Sequence, residues 1–140
     1  MARRLILDTG VLIASERARS VPTGRIVPTG RIARDDDVVI AAITVAELRT
    51  GIELADELHR PGRTDFLTRV VGTLPVEPYD LAAAQAHGRL LAYVHRTGST
   101  RGAHDLVIAA TAIATRRILV TTDRSARFDE LPGVDCLVLA

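Results

Sequence analysis

Four acidic residues stand where apolar runs of this chain give way to turns or helix starts: Asp8, Glu47, Asp105 and Asp123. Carboxylates that converge repel one another, by ~4 kcal/mol for two charges ~4 Å apart at an effective dielectric of ~20. A cation offsets that cost, and an all-oxygen ligand set suits Mg²⁺ or Mn²⁺ rather than zinc. Such an ion activates and places a water, and it stabilises charge on a phosphoryl oxygen and on the leaving oxygen. The chemistry in view is hydrolysis of a phosphate ester, with the acids as metal ligands; four would neutralise up to two divalent ions.

Each acid also has a structural reading. Thr44-Val45-Ala46-Glu47 has the form of a capping box, with Glu47 returning to the N-cap amide. Asp8 and Asp123 could cap turns or short helices, and Asp105 suits the positive end of a helix dipole. Of the four, Asp105 is the hardest to explain as a cap, because the apolar helix behind it draws its start toward the interior. Two other enzyme readings begin at Asp8. Asp8-Thr9-Gly10 matches the triplet of retroviral-type aspartic proteases, which share an aspartate dyad across a dimer, but those are all-β and this chain carries strong helical patterns. A haloacid-dehalogenase-type phosphatase wants a second Asp two residues after the first, where this chain has Gly10.

The elements that must position these acids alternate between strand and helix. Leu5-Ile6-Leu7 reads as a buried strand running into a turn, and a helix begins at Val11. The hexapeptide Val-Pro-Thr-Gly-Arg-Ile occupies 21–26 and again 27–32. Its Pro and Gly make 20–36 an expected irregular loop. Asp37 to Ile43 reads as the second strand and Thr44 to Leu58 as an amphipathic helix, with Glu47 in its first turn. Pro61-Gly62 punctuates, Thr64 to Val71 is a shorter helix, and 74–76 is a weak, edge-type strand. Asp80 caps a helix to Thr97, with Gly98 at the C′ position. Asp105 to Thr115 is apolar almost all round, the mark of a buried central helix. Strands at 118–121 and 134–139 complete five. This alternation predicts an α/β fold with three α/β/α layers and a mostly parallel five-stranded sheet, as one domain over residues 1–140. Ligands of such sheets sit at the carboxyl ends of the strands, where all four acids are expected.

Composition narrows the class. Hydrophobic residues make up 47% and aromatics 3%, so the core must be aliphatic. No apolar run approaches the roughly 20 residues of a membrane span, and the apolar stretch after Arg3-Arg4 is too short for a secretory signal. A single cysteine, Cys136, allows no internal disulfide and suits a cytoplasmic protein. The net charge of +1 hides an uneven distribution: +5 over 1–34, −6 over 35–57 and +2 beyond. All 18 basic residues are arginine. The absence of lysine excludes a P-loop and a Schiff-base enzyme.

The ordered set Leu7-Asp8-Thr9-Gly10-Val11-Leu12-Ile13-Ala14, Thr44-Val45-Ala46-Glu47-Leu48 with Gly51, Gly102-Ala103-His104-Asp105-Leu106-Val107-Ile108-Ala109-Ala110-Thr111-Ala112 and Leu119-Val120-Thr121-Thr122-Asp123 resembles the VapC-type PIN domains over nearly the whole chain. So does the ending Phe128 with Leu131-Pro132-Gly133-Val134. The resemblance implies a Mg²⁺- or Mn²⁺-dependent endoribonuclease toxin of a type II toxin–antitoxin system. Its metal site would be Asp8, Glu47, Asp105 and Asp123, with the Thr121 hydroxyl assisting. Its substrate would be cellular RNA, often tRNA or ribosomal RNA, its inhibitor a cognate antitoxin and its assembly a homodimer. Some PIN-like domains lose acids and persist as RNA-binding or scaffold modules; all four acids stand here. The hexapeptide repeat departs from the regular helical segment usual at that point in the family, on a side that commonly contacts the antitoxin.

Near the acids, Arg101, His104, Arg124 and Arg127 are candidates for steering RNA phosphates, with solvated surface charge as the other reading. His59, His87 and His95 have no ligand spacing. The few aromatics, Phe66, Tyr79, Tyr93 and Phe128, form no stacking platform for single-stranded bases. Cys136 reads as a buried strand residue.

Overall fold

The computed structural model describes residues 2–18 and 32–139. The strands are β1 (Arg4–Leu7), β2 (Asp37–Ala41), β3 (Val76–Glu77), β4 (Ile118–Thr121) and β5 (Cys136–Val138). They form one sheet in the order β3-β2-β1-β4-β5 with every pairing parallel. The helices are α1 (Thr9–Ala18), α2 (Ala42–Glu53), α3 (Arg60–Thr73), α4 (Leu81–Thr97) and α5 (Ala103–Thr115), with 3₁₀ turns at Arg124–Ala126 and Phe128–Glu130.

The pleat explains the layers. Successive side chains of a strand point to opposite faces, so an apolar run such as Leu5-Ile6-Leu7 serves two cores at once. Leu5 and Leu7 pack with Val11 and Leu12 of α1, Leu48 of α2 and Phe66 and Val70 of α3. Ile6 packs on the other face with Leu90 of α4 and Leu106, Ile108 and Ala109 of α5. The α/β/α architecture expected from the alternation is present, and the sheet is wholly parallel. A retroviral-type protease around Asp8-Thr9-Gly10 is therefore ruled out by the fold. Among the described residues no helix is long and apolar enough to cross a membrane.

Several boundaries differ from the sequence expectations. α1 begins at Thr9, directly after β1 and Asp8. β2 ends at Ala41 and α2 begins at Ala42, so Thr44 is not an N-cap; that place falls to Ala41, which makes no side-chain cap bond. The expected capping box is absent, and Glu47 lies in the second turn. α2 stops at Glu53 because Arg60 folds back to donate to the carbonyls of Ile52 and Ala55, leaving Leu54 and Leu58 exposed. Pro61 stands in the first turn of α3, where its missing N–H costs nothing, so it starts a helix rather than separating two. β3 is shifted to 76–77, with Leu74 buried beneath the sheet edge, and β5 is only 136–138. The α4 caps match expectation: Asp80 accepts from the Ala83 amide, and Gly98 is left-handed. Of the segment 20–36 expected as a loop, 20–31 lies outside the described residues. Ile32, which ends the second hexapeptide, is buried in the α1–α3 core.

Candidate active site

β1 leads to β2 and β3 on one side of the sheet, while β4 and β5 lie on the other. Between β1 and β4 the strand order reverses, and at such a point loops diverge and leave a crevice beyond the carboxyl ends. Asp8 stands at that end of β1, and Thr121 and Asp123 at that end of β4. The Asp8 amide continues the ladder by donating to the Val120 carbonyl at 2.8 Å. Its side chain is held within the crevice, 8% exposed, and one carboxylate oxygen accepts from Thr121 Oγ1 at 2.8 Å. The same hydroxyl oxygen accepts from the Asp123 amide at 3.0 Å. Thr121 therefore links the two acids, consistent with the assisting place the resemblance gives its hydroxyl.

Glu47 enters from α2. Thr9 Oγ1 lies 2.9 Å from Glu47 Oε1 and 3.0 Å from Thr44 Oγ1. Thr9 Oγ1 is the donor in both, its one proton shared between the Glu47 carboxylate and the Thr44 hydroxyl oxygen. Thr44, fully buried, is a support for the site rather than a helix cap. Asp105 comes from the first turn of α5 and folds back over its N-cap, Gly102. A Cβ on Gly102 would sit 2.9 Å from Asp105 Oδ2, so glycine is what lets the carboxylate take this position. Thr9, Thr44 and Gly102 were not singled out from the sequence. The sequence hints at them only through position: Thr9 follows Asp8, and Thr44 and Gly102 each stand three residues before an acid.

The electrostatics show that the four acids face one another. Burial pushes the Asp105 carboxyl up to about 6, and the charges of Asp8, Glu47 and Asp123 add to the rise. Asp8 is also raised, chiefly by burial, against the opposing effect of its Thr121 and Thr9 hydrogen bonds. Asp123 is lowered, because its Oδ1 accepts from both the hydroxyl and the amide of Ser125. It thus plays the capping part and the site part together. His104 Nδ1 lies 3.6 Å from Glu47 Oε2, on the rim of the cleft.

Among the described residues no three such groups are already drawn to metal-ligand spacing. The donor set nonetheless fits Mg²⁺ or Mn²⁺. These ions take oxygen ligands, and Mg²⁺ commonly keeps several waters while binding one or two carboxylates directly. The raised Asp8 and Asp105 are the groups a cation would relieve most.

Arg101 is not a phosphate-steering group. Its side chain is 5% exposed, and its guanidinium is taken up by the carbonyls of Ala126 and Arg127 and by Glu130. Arg127 is half exposed and paired with Glu130, and Arg124 is exposed. His59 bonds Asp56 and His87 bonds Tyr79, both on the surface. Cys136 is partly buried in β5, and burial raises its thiol.

Residues 5–134 match the model of the PIN domain. The chain belongs to the PIN-domain family. It is 34% identical to the VapC ribonuclease Y4jK of Sinorhizobium fredii, over 95% of each chain. Among solved structures, VapBC-5 of Mycobacterium tuberculosis, a member of the VapBC family of toxin–antitoxin systems, superimposes with a TM-score of 0.74 at 26% identity, over 97% of this chain and 98% of that one. VapBC2 of Rickettsia felis, bound to a DNA fragment from its promoter, shares the fold with a TM-score of 0.82 at 18% identity, over 98% and 99% of the two chains. The ordered acid motifs of this PIN domain thus stand in VapC-type surroundings from end to end.

Proposed function

We propose that this PIN domain is a Mg²⁺- or Mn²⁺-dependent endoribonuclease, the toxin half of a toxin–antitoxin pair. The observation that carries the reading is the meeting of acids between β1 and β4, where the charges of Asp8, Glu47 and Asp123 add to the rise of Asp105 and threonine hydroxyls hold Asp8 and Glu47. A bound divalent ion would supply Lewis acidity toward a phosphoryl oxygen and lower the pKa of the attacking water. Asp8 and Asp105 would hold it, since they lose most by staying charged without a partner. Thr121 holds the Asp8 carboxylate, Thr9 holds Glu47, and Ser125 holds Asp123, so each is oriented by a hydroxyl before the acids draw together on the ion. Arg124, Arg127 and His104 on the rim are the groups placed to meet RNA phosphates.

Similarity to VapC ribonucleases and to VapBC complexes supports RNA as substrate and an antitoxin as partner. The family resemblance adds tRNA or ribosomal RNA as the target class and a homodimer as the assembly. The test is cleavage of total cellular RNA by purified protein with Mn²⁺, Mg²⁺ or EDTA, beside the Asp8→Asn variant. Discrete fragments that require metal and vanish in the variant are expected. Full activity of the variant, or of the wild type in EDTA, would refute the site. Absence of both cleavage and Mn²⁺ binding would instead favour a non-catalytic RNA-binding or scaffold module.

A further inference from the structure

Arg101 immediately precedes Gly102, the N-cap of α5, and so stands at the root of the segment that presents Asp105. Its guanidinium crosses to the loop that presents Asp123. There Nη1 donates to the carbonyls of Ala126, at 2.5 Å, and Arg127, at 2.7 Å, while Nη2 pairs with Glu130 at 3.4 Å. We propose that Arg101 is a positioning residue that sets the separation between Asp105 and Asp123; this rests on the metal-site reading above.

The energetics favour geometry over plain stabilisation. Arg101 is almost fully buried, and its Nε has no hydrogen-bond partner. An orphaned buried donor is destabilising, and apolar side chains often replace buried ion pairs at no loss. What arginine provides is a planar guanidinium that addresses both carbonyls through Nη1 while Nη2 reaches Glu130. Those carbonyls flank a strained point, since Arg127 has φ 49° and ψ 45°, a left-handed conformation that disfavours a side chain. Beyond it, Phe128 is anchored in the core. Without Arg101 the piece released is the turn between Asp123 and Arg127, whose hydrogen bonds from Ser125 aim the Asp123 carboxylate.

Arg117 provides a matched control. It is equally buried, donates to the carbonyls of Leu5 and Asp37, pairs with Asp37 and Glu77, and likewise leaves its Nε unpartnered. It precedes β4, at the strand end opposite the acids. The experiment compares Arg101→Met and Arg117→Met in the full chain by amide hydrogen exchange without metal and by Mn²⁺ affinity. With Arg101→Met, the Ser125 and Arg127 amides should exchange faster and the Mn²⁺ Kd should rise about tenfold, the usual scale for groups that orient metal ligands. With Arg117→Met, neither should change, however far its Tm falls. Equal effects from both variants, or unchanged exchange and affinity in Arg101→Met, would overturn the proposal. If the Met variant does not fold, Arg101→Lys replaces it; one ammonium cannot meet the two carbonyls and Glu130 together, so a smaller loss in the same direction is expected, and none would overturn the proposal. Should the wild type take up no Mn²⁺, the metal reading fails, and exchange at Ser125 and Arg127 alone still decides whether Arg101 holds the loop.

Discussion

Replacing Asp105 by Asn should stabilise the metal-free protein while weakening its response to divalent cations. The Asp105 carboxyl rises from 3.8 to about 6, first through burial and then through the charges of Asp8, Glu47 and Asp123. A carboxyl raised on folding binds its proton more tightly in the native than in the unfolded state. Stability therefore falls as pH climbs from about 4 to about 6, and the whole penalty is present above that window. The full shift corresponds to about 3 kcal/mol at 1.36 kcal/mol per unit. Asp105 is only half buried, and solvent screening reduces the figure to about 1–2 kcal/mol. Its charge in the first turn of α5 gains about 0.3–1 kcal/mol from the helix dipole, which opposes the penalty without cancelling it. The net gain for Asn is about 1 kcal/mol, or roughly 3–5 °C in Tm for a chain of this size. Thermal melts at pH 7.5 in EDTA should show this rise, and melts at pH 4.5 should show a smaller one. Mn²⁺ should raise the wild-type Tm more than that of the variant. A variant less stable than wild type in EDTA at pH 7.5, or a difference that does not shrink at pH 4.5, would refute the reasoning.

Gly102→Ala should displace the Asp105 carboxylate that now lies 2.9 Å from the position of the added Cβ. The expected result is Mn²⁺ binding weaker by about tenfold with a Tm within a few degrees of wild type, read by calorimetry on both counts. Thr121→Val keeps the volume but strips Asp8 of a donor and the Asp123 amide of an acceptor. It should cost about 1–3 kcal/mol in urea unfolding and at least tenfold in RNA cleavage. Thr9→Val should free Glu47 while leaving the Thr44 hydroxyl buried without its partner; cleavage should fall, and the unfolding midpoint should drop as well.

Much of this protein could be read from residue order alone. Leu5-Ile6-Leu7 and Ile118-Leu119-Val120 read as strands, and the apolar girth of 106–114 as a central helix, and the structure has each so. An acid at the end of each such element, in the order of the PIN family, named Asp8, Glu47, Asp105 and Asp123. Local patterns were weaker at boundaries, because they do not show what lies opposite. Thr44-Val45-Ala46-Glu47 has the form of a capping box, yet α2 starts two residues earlier and Thr44 turns inward to Thr9. By its place beside the acids Arg101 is a candidate for the cationic rim, yet its partners, 25 or more residues away, enclose it. The sequence by itself determined the alternation of elements and the type of charge in the cleft, since both follow from periodicity and residue chemistry. Tertiary structure alone decided that Thr121 holds Asp8, that Thr9 holds Glu47 and that Arg101 is enclosed by the loop after β4. Those roles depend on contacts between segments that meet only once the sheet has ordered its strands.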